Sequence, residues 1–183
     1  MKKIAVFFGE GFEEIEALTV VDMCRRAGID TQMAAIGSNK SVTGSHKISV
    51  GMDLTFDEVN FEELDMIVLP GGLQGTRNLE AHEGLMKQVD LFAETGKYVA
   101  AICAAPSILG HRGILQGKRA CCYPGFEEAL TGAEIVYESV AVDGHVITSR
   151  GMGCSIDFAL AIITALCGED IAKEKAASVI YRV

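Results

Sequence analysis

The sequence predicts one α/β domain, residues 1–183, built around a mainly parallel sheet. Short apolar runs of strand length alternate with longer amphipathic runs along the whole chain. The chain is 49% hydrophobic and has 183 residues, so it can bury an ordinary core without disulfides or metal. No repeat, linker or low-complexity segment divides it.

The first third of the chain predicts a strand–helix–strand unit. Residues 3–8 form a buried strand, residues 14–27 a helix with a broad apolar face, and residues 30–36 a second strand. This spacing implies a parallel pair joined by a right-handed crossover. Residues 37–61 are less regular, and alternation at 46–50 indicates a small strand or hairpin.

The rest of the chain continues the alternation and ends in an almost wholly apolar helix and one further helix. In order, we predict a strand at 65–69, a helix at 81–95, a strand ending at Cys103, a helix start at 104–112, a short strand at 118–122, a short helix from Phe126 to Leu130, a hairpin of 134–142 and 145–149 about Asp143-Gly144, and helices at 154–167 and about 169–179.

Charge and cysteine content argue against several classes of protein. The net charge of −9 and pI of about 4.9 disfavour nucleic acid or an anionic membrane as the main partner. No apolar run approaches the ~20 residues of a membrane span, and the short run at 4–8 predicts a strand rather than a signal peptide. The six cysteines show no C-x-x-C or zinc-like spacing. We therefore expect no metal, no disulfide framework and a cytoplasmic location.

The stretch 97–107 carries the strongest chemical signal. An apolar strand ends abruptly at Cys103, and small residues and a proline follow before a helix begins. This pattern places a thiol at the carboxyl end of a buried strand, the edge where open α/β sheets bind ligands. The positive end of the helix dipole would favour the thiolate, so we predict that Cys103 is reactive.

Two further segments are predicted to lie at the same edge. Glu16 follows the first strand–helix turn between apolar neighbours, and a carboxyl group beside a thiolate would be pushed toward protonation and could donate to the sulfur. Pro70-Gly71-Gly72 ends another core strand. It is either a simple tight turn or a place where backbone N–H groups approach a reacting centre, and we select the N–H groups of Gly72 and Ala104.

A nucleotide cofactor is disfavoured. Gly9-Glu10-Gly11 resembles the start of a dinucleotide-binding loop, but Glu14 occupies the place of the third glycine. The acidic residues at this helix start would repel a pyrophosphate, and they are explained by the helix dipole instead. We predict no cofactor.

Four motifs in this order and spacing resemble the ThiJ/PfpI superfamily, and within it the branch of the parkinsonism-associated protein deglycase. They are Glu13-Glu14-Ile15-Glu16, Val68-Leu69-Pro70-Gly71-Gly72, Ala101-Ile102-Cys103-Ala104-Ala105-Pro106 and Thr148-Ser149-Arg150-Gly151. The resemblance runs essentially end to end. It implies a flavodoxin-like three-layer α/β/α sandwich and a homodimer. It also implies a strained elbow cysteine as nucleophile at Cys103, a protonated glutamate at Glu16, and an oxyanion site at Gly72 and Ala104.

Two positions depart from the family pattern. Ala104 follows the cysteine where peptidase-like members carry histidine, which counts against proteolysis. Tyr123 stands before Pro124 where the deglycase-like branch carries histidine. A tyrosine can donate a hydrogen bond or transfer a proton, but its reference pKa of roughly 10 makes it a poor general base at neutral pH. Glu16 is then the main proton shuttle. The four histidines are predicted on the surface, and an approach of His46 to the site across a dimer interface stays open.

The other cysteines are predicted to be mainly structural. Cys24 and Cys167 lie on helices as small apolar fillers. Cys121 and Cys122 are adjacent, so at most one of them can point into the core from a strand. Cys122 or Cys154 is the candidate for a resolving thiol near the reactive cysteine.

Three functions fit this site. In the first, Cys103 adds to the aldehyde of methylglyoxal or glyoxal, or to its adduct on a protein or nucleotide, and water releases a hydroxy acid such as lactate. In the second, Cys103 is a peroxide sensor that is oxidised to sulfinate and signals through a partner or through holdase activity. The third is a hydrolase or amidotransferase-like activity on another substrate. The predicted partners are a small reactive carbonyl or glycated protein and a second copy of the chain.

Overall fold

A seven-stranded sheet organises the computed structural model, which describes residues 1–182, so the last residue of the predicted domain lies outside it. In chain order the strands are β1 (Lys3–Phe8), β2 (Asp30–Ala35), β3 (Ser41–Thr43), β4 (Ser49–Gly51), β5 (Leu54–Thr55), β6 (Met66–Leu69), β7 (Tyr98–Ile102), β8 (Arg119–Ala120), β9 (Glu134–Ile135), β10 (Val140–Asp143) and β11 (Val146–Ser149). The large sheet has the order β10-β11-β7-β6-β1-β2-β5, and only the β10–β11 pair in it is antiparallel. Strands β3 and β4 form a separate hairpin, and β8 pairs with β9.

Helices cover both faces of the sheet. They are α1 (Glu14–Arg26), α2 (Leu73–Ala81), α3 (Glu83–Glu94), α4 (Pro106–His111), α5 (Ser155–Cys167) and α6 (Glu169–Ser178). Apolar residues of α1, α5 and α6 belong to one core cluster, and those of α2, α3 and α4 belong to the other. This confirms the three-layer α/β/α sandwich predicted from the sequence. Within residues 1–182, no helix has the length and apolar character needed to cross a membrane.

The central strands are apolar on both sides because helices cover both sides. In β1, Ile4, Val6 and Phe8 join the first core cluster, whereas Ala5 and Phe7 join the second. The parallel register carries this arrangement across the sheet and brings the carboxyl ends of β1, β6, β7 and β11 to the same edge. That edge is where the chemical motifs of the sequence meet.

The predicted helix at 81–95 corresponds to α3, which begins at Glu83. The segment contains α3, but a separate helix, α2, precedes it, and His82 caps α3 by accepting a hydrogen bond from the Leu85 N–H. Helix α2 was missed because it contains Gly75, a residue of low helix propensity. A Cβ on Gly75 would lie 2.7 Å from the Phe12 Cα, so close packing requires the glycine.

The second half of the chain also differs in its short elements. The turn at Asp143-Gly144 joins β10 to β11 as predicted, but residues 134–135 pair with β8 instead of extending the hairpin. The predicted helix from Phe126 to Leu130 is a single 3-10 turn, Glu127–Ala129.

The adjacent cysteines Cys121 and Cys122 were expected on a strand at 118–122, where at most one of them could point into the core. Both Cys121 and Cys122 are buried. The alternation of a strand does not apply to them because β8 already ends at Ala120.

Candidate active site

Cys103 lies immediately after β7 and has a strained backbone. Its φ angle is 65°, in the left-handed region that non-glycine residues rarely adopt. Such a conformation costs about 1–3 kcal/mol and persists where the surroundings hold it. Here the Cys103 N–H donates to the Ser149 carbonyl at 2.9 Å, and the Cys103 carbonyl accepts from the Tyr123 N–H at 2.8 Å. Two neighbouring segments therefore hold the sharp turn that presents the thiol.

Glu16 lies beside the thiol. Helix α1 places this side chain in its first turn, where it is 1% exposed and hydrogen-bonds the Cys103 side chain. The Gly71 N–H donates to Glu16 Oε2 at 3.0 Å. A Cβ on Gly71 would lie 2.5 Å from both the Cys103 Cβ and Glu16 Oε2, so the missing side chain makes room for the carboxyl–thiol contact.

Two backbone N–H groups also act on the sulfur. Those of Gly72 and Ala104 lie close enough to Cys103 to lower its thiol pKa. Gly72 has a φ of +87°, a conformation suited to glycine, and it directly precedes α2. These are the two N–H groups selected from the sequence.

The pKa values of Cys103 and Glu16 differ from the expectation that the helix dipole favours the thiolate. Burial, together with the charge of Glu16 when it is ionised, raises the pKa of the Cys103 thiol to about 12. Burial also raises the pKa of Glu16 to about 7, against the opposing effect of its hydrogen bonds to Cys103 and Gly71. Near neutral pH the carboxyl group therefore occurs in both its protonated and its ionised form. When it is protonated, it no longer repels a thiolate and can donate to the sulfur; when it is ionised, it can accept the thiol proton.

A cavity of about 450 Å³ opens onto the thiol. Its wall contains all five predicted site residues together with five others, namely Glu13, Glu16, His46, Gly72, Leu73, Cys103, Ala104, Tyr123, Phe126 and Met152. Tyr123 is 51% exposed and lies at the outer part of the wall. A Cβ on Gly151 would approach the Tyr123 ring to 3.2 Å, so a glycine after β11 makes room for this ring.

The family model described as DJ-1/PfpI matches residues 2–165. The chain belongs to the DJ-1/PfpI family. This confirms the resemblance seen in the four sequence motifs.

Individual members of the family are similar over most of the chain. Protein DJ-1 homolog B of Arabidopsis thaliana is 37% identical over 169 residues, which are 92% of this chain and 39% of that protein. This chain therefore spans about two fifths of that longer relative. A protein of Pyrococcus horikoshii named Deglycase PH1704 is 35% identical over 150 residues, covering 81% of this chain and 89% of its own. The solved structure of oxidised Toxoplasma gondii DJ-1 is 32% identical, covers 100% of both chains and superposes with a TM-score of 0.95. Together these relatives support a DJ-1-like role.

His46 is exposed, as the sequence predicted, but its place in the site was not foreseen. An approach across a dimer interface was considered, whereas His46 lines the cavity of its own chain. The turn between β3 and β4 carries it to the start of α1, where Nδ1 lies 3.1 Å from Glu14 Oε2. The contact joins residues 32 positions apart, so no local pattern reveals it.

Glu13, Glu14 and His46 have the spacing of metal ligands, with one ligand atom from each within 4.8 Å of the others. The Ser45 hydroxyl donates to the carboxylates of Glu13 and Glu14, and the His46 ring already pairs with Glu14. These hydrogen bonds account for the cluster without an ion, and we assign no metal to it.

The other cysteines are free thiols in the described part of the chain. Burial raises the pKa of Cys24 to about 12, which suits its predicted role as an apolar filler. Burial likewise raises the pKa of Cys122 to about 12. The role of Cys122 or Cys154 as a resolving thiol stays a prediction.

Proposed function

We propose that this chain is a cysteine-dependent enzyme that acts on small reactive carbonyls, with glyoxalase activity and deglycase activity on glycated proteins. The observation that carries the proposal is the convergence of one thiol, one carboxyl group of raised pKa and two backbone N–H groups on a single cavity. The relative named a deglycase, 35% identical to this chain, supports the same chemistry. A cytoplasmic location is part of the proposal.

In the first step, the Cys103 sulfur adds to the aldehyde carbon of methylglyoxal. The thiol proton passes to Glu16, which is held against the sulfur and is partly ionised at neutral pH. The carbonyl oxygen gains negative charge as the C–S bond forms, and the N–H groups of Gly72 and Ala104 lie close enough to stabilise it. Glu16 then gives this proton to the oxygen, so the product of the step is a hemithioacetal and the carboxylate can accept a proton again.

In the second step, a proton moves from the former aldehyde carbon to the neighbouring carbon through an enediol. Glu16 is suited to carry this proton because its pKa of about 7 lets it accept and donate near neutral pH. The aldehyde carbon becomes a thioester and the ketone carbon becomes an alcohol. Water then cleaves the thioester, releasing lactate and the thiol. The overall reaction adds one water to methylglyoxal, so no external oxidant or reductant is consumed.

Replacement of the nucleophile tests the proposal directly. Cys103→Ala should abolish lactate formation from methylglyoxal, because the C–S bond cannot form. Cys167→Ala is the matched control, since this half-buried thiol ends α5 outside the cavity wall, and it should keep wild-type turnover. Unchanged lactate formation by Cys103→Ala would exclude this mechanism.

A peroxide sensor is the second candidate. Cys103 is half-buried, it opens into the cavity, and the structure of a DJ-1 relative is described as oxidised. Two molecules of hydrogen peroxide would oxidise the thiolate to sulfinate and release two of water. Intact-mass measurement after mild peroxide treatment distinguishes the candidates: selective addition of two oxygens at Cys103, in a protein without glyoxalase activity, would favour the sensor.

A further inference from the structure

A buried carboxylate holds the turn between β3 and β4 against the start of α1. The Glu14 side chain is 5% exposed. Its Oε1 accepts from the His46 N–H at 2.8 Å, and its Oε2 accepts from the Ser45 hydroxyl at 3.2 Å. A Cβ on Gly44 would lie 2.3 Å from the Glu14 carboxyl carbon, so a glycine in the turn permits this approach. The carboxylate thus fixes both the backbone and the ring of His46.

The same carboxylate sets the tautomer of the histidine. Nδ1 of His46 lies 3.1 Å from Glu14 Oε2 and 3.0 Å from the Ser45 hydroxyl. An ionised carboxylate can only accept, so we assign the proton of the neutral ring to Nδ1. The basic atom is then Nε2. An imidazole oriented by a carboxylate in this way is the arrangement that makes histidine an effective general base.

The position of His46 complements that of Glu16 in the cavity wall. Glu16 lies at the buried end beside the sulfur and is 1% exposed. The His46 side chain is 70% exposed, so it lies where water enters. In the proposed reaction, Glu16 moves the proton between two carbons, and His46 offers a second base in the same cavity for the attack of water on the thioester.

We propose that His46, oriented by Glu14, is the general base that activates the hydrolytic water and frees the acyl group from Cys103. Water gives its proton to Nε2 while its oxygen adds to the thioester carbonyl. The C–S bond then breaks, its electron pair returns to the sulfur, and the imidazolium proton restores the thiol. This inference rests on the proposed function, and it adds the residue that carries out the last step.

The surrounding charges agree with this role. The hydrogen bond to Glu14 and the charges of Glu13 and Glu14 raise the pKa of His46 above its ordinary value of 6.5. Burial alone would raise the pKa of Glu14, but hydrogen bonds from its own N–H and from His46 outweigh burial and lower it, so the carboxylate stays ionised. Glu16 and Cys103 line the same cavity as the ring. The hydrolytic step should therefore accelerate as pH rises through the raised pKa of His46.

The test uses His46→Asn. The short amide can keep the hydrogen bond to Glu14 but lacks a basic ring nitrogen. Steady-state lactate formation should fall roughly 100-fold, the lower range for loss of a general base. Intact mass should show Cys103 carrying the mass of one methylglyoxal, because acylation still occurs and hydrolysis does not. The acidic limb of the pH–rate profile should disappear, and added imidazole should restore turnover.

His111→Asn is the matched control. His111 is also half-exposed and pairs through Nδ1 with a carboxylate, Glu80, at 2.7 Å, but it lies outside the cavity wall. It should leave turnover and the pH profile unchanged.

The outcomes separate the two proposals. Wild-type turnover and pH profile in His46→Asn would overturn the assignment of the base while leaving the proposed function intact. A loss of turnover with no acylated Cys103 and no rescue by imidazole would also overturn it, because that result indicates a purely structural residue. A wild-type protein that forms neither lactate nor an acyl adduct would refute the proposed function, and the inference would fall with it.

Discussion

The position of the Cys103 sulfur depends on backbone contacts, whereas its protonation depends on burial and on one carboxyl group. The Ser149 carbonyl and the Tyr123 N–H hold the left-handed turn, so the angle of the thiol is fixed by neighbouring segments rather than by the cysteine itself. Glu16 then decides whether the thiol faces a negative charge or a hydrogen-bond donor. The position and the protonation of the thiol can therefore be changed separately, because backbone atoms set the first and the Glu16 carboxyl affects the second.

The raised pKa of Glu16 should be visible in the stability of the protein. The folded protein holds this proton more tightly than the unfolded chain, whose carboxyl has the ordinary value of 4.5. The resulting stabilisation is complete below pH 4.5 and is lost as pH rises through about 7. A shift of this size corresponds to about 3 kcal/mol. Glu16→Gln, which keeps a neutral carbonyl and amide, should therefore become more stable than wild type across this range.

Urea unfolding of both proteins between pH 4 and pH 8.5, under reducing conditions, measures the effect. The difference in free energy of unfolding should grow with pH and level off above about 7. Other titrations cancel because they are common to both proteins. Curves that stay parallel throughout would show that the Glu16 carboxyl has an ordinary pKa and would remove it as a proton carrier at neutral pH.

At the scale of elements, the turn after β6 allows the Glu16 carboxyl to reach the Cys103 thiol because Gly71 has no side chain. An added methyl group would crowd the Cys103 Cβ and Glu16 Oε2 at 2.5 Å. Gly71→Ala should therefore cost about 1–3 kcal/mol of stability and should speed alkylation of Cys103, because moving the carboxylate away from the sulfur lowers the pKa of the thiol. Thermal unfolding and the iodoacetamide rate would measure the two effects.

Gly153→Ala is the control for this glycine. Residue 153 lies in the 3-10 turn before α5, and a Cβ there would meet nothing within 4 Å. Its stability and alkylation rate should match those of the wild type. Equal behaviour of the two alanine variants would mean that the turn after β6 can yield, and that its glycine is not needed for the carboxyl–thiol contact.

The sequence predicted well the elements whose apolar residues directly follow from which faces are buried. Strands β1, β6 and β7 are continuous apolar runs because both of their faces are covered. Helix α2 was missed because its glycine serves a tertiary contact, and local propensity carries no information about Phe12. The β8–β9 pair was missed for a similar reason, since two-residue strands have too few positions to show a period.

At the scale of the whole molecule, the site was predictable wherever it follows from parallel topology. Cys103, Gly72 and Glu16 each follow a strand that ends at the same edge, so their approach could be expected before any coordinates were known. His46 does not follow a strand of the large sheet. Its place depends on how the β3–β4 hairpin folds over α1. The deciding contact is with Glu14, whose acidity the sequence analysis attributed to the helix dipole and not to a contact with the hairpin.

The homodimer implied by the sequence resemblance stays a prediction, and the exposed apolar residues near the cavity offer a way to test it. Ile15 in α1 and Ile48 next to β4 are both exposed, and the Glu14–His46 hydrogen bonds hold their two segments together. Exposed isoleucines on adjoining segments favour association through this face, since their burial is worth roughly 1.5–3 kcal/mol each. We therefore expect wild-type protein to sediment at twice the chain mass of 19.5 kDa.

Charge introduced on that face should separate the copies. Ile15→Lys combined with Ile48→Lys should reduce the sedimenting mass to that of one chain, because lysine cannot be buried against an apolar partner without a counter-charge. Leu91→Lys is the control, since this exposed residue of α3 lies in the helical layer on the opposite side of the sheet. If the double variant stays dimeric and Leu91→Lys dissociates, the copies meet through the layer of α3. Ile15 directly follows Glu14, so separating the two copies at the Ile15–Ile48 face should also weaken the hydrogen bonding of Glu14 to His46 and lower turnover. Assembly and catalysis would then depend on the same surface.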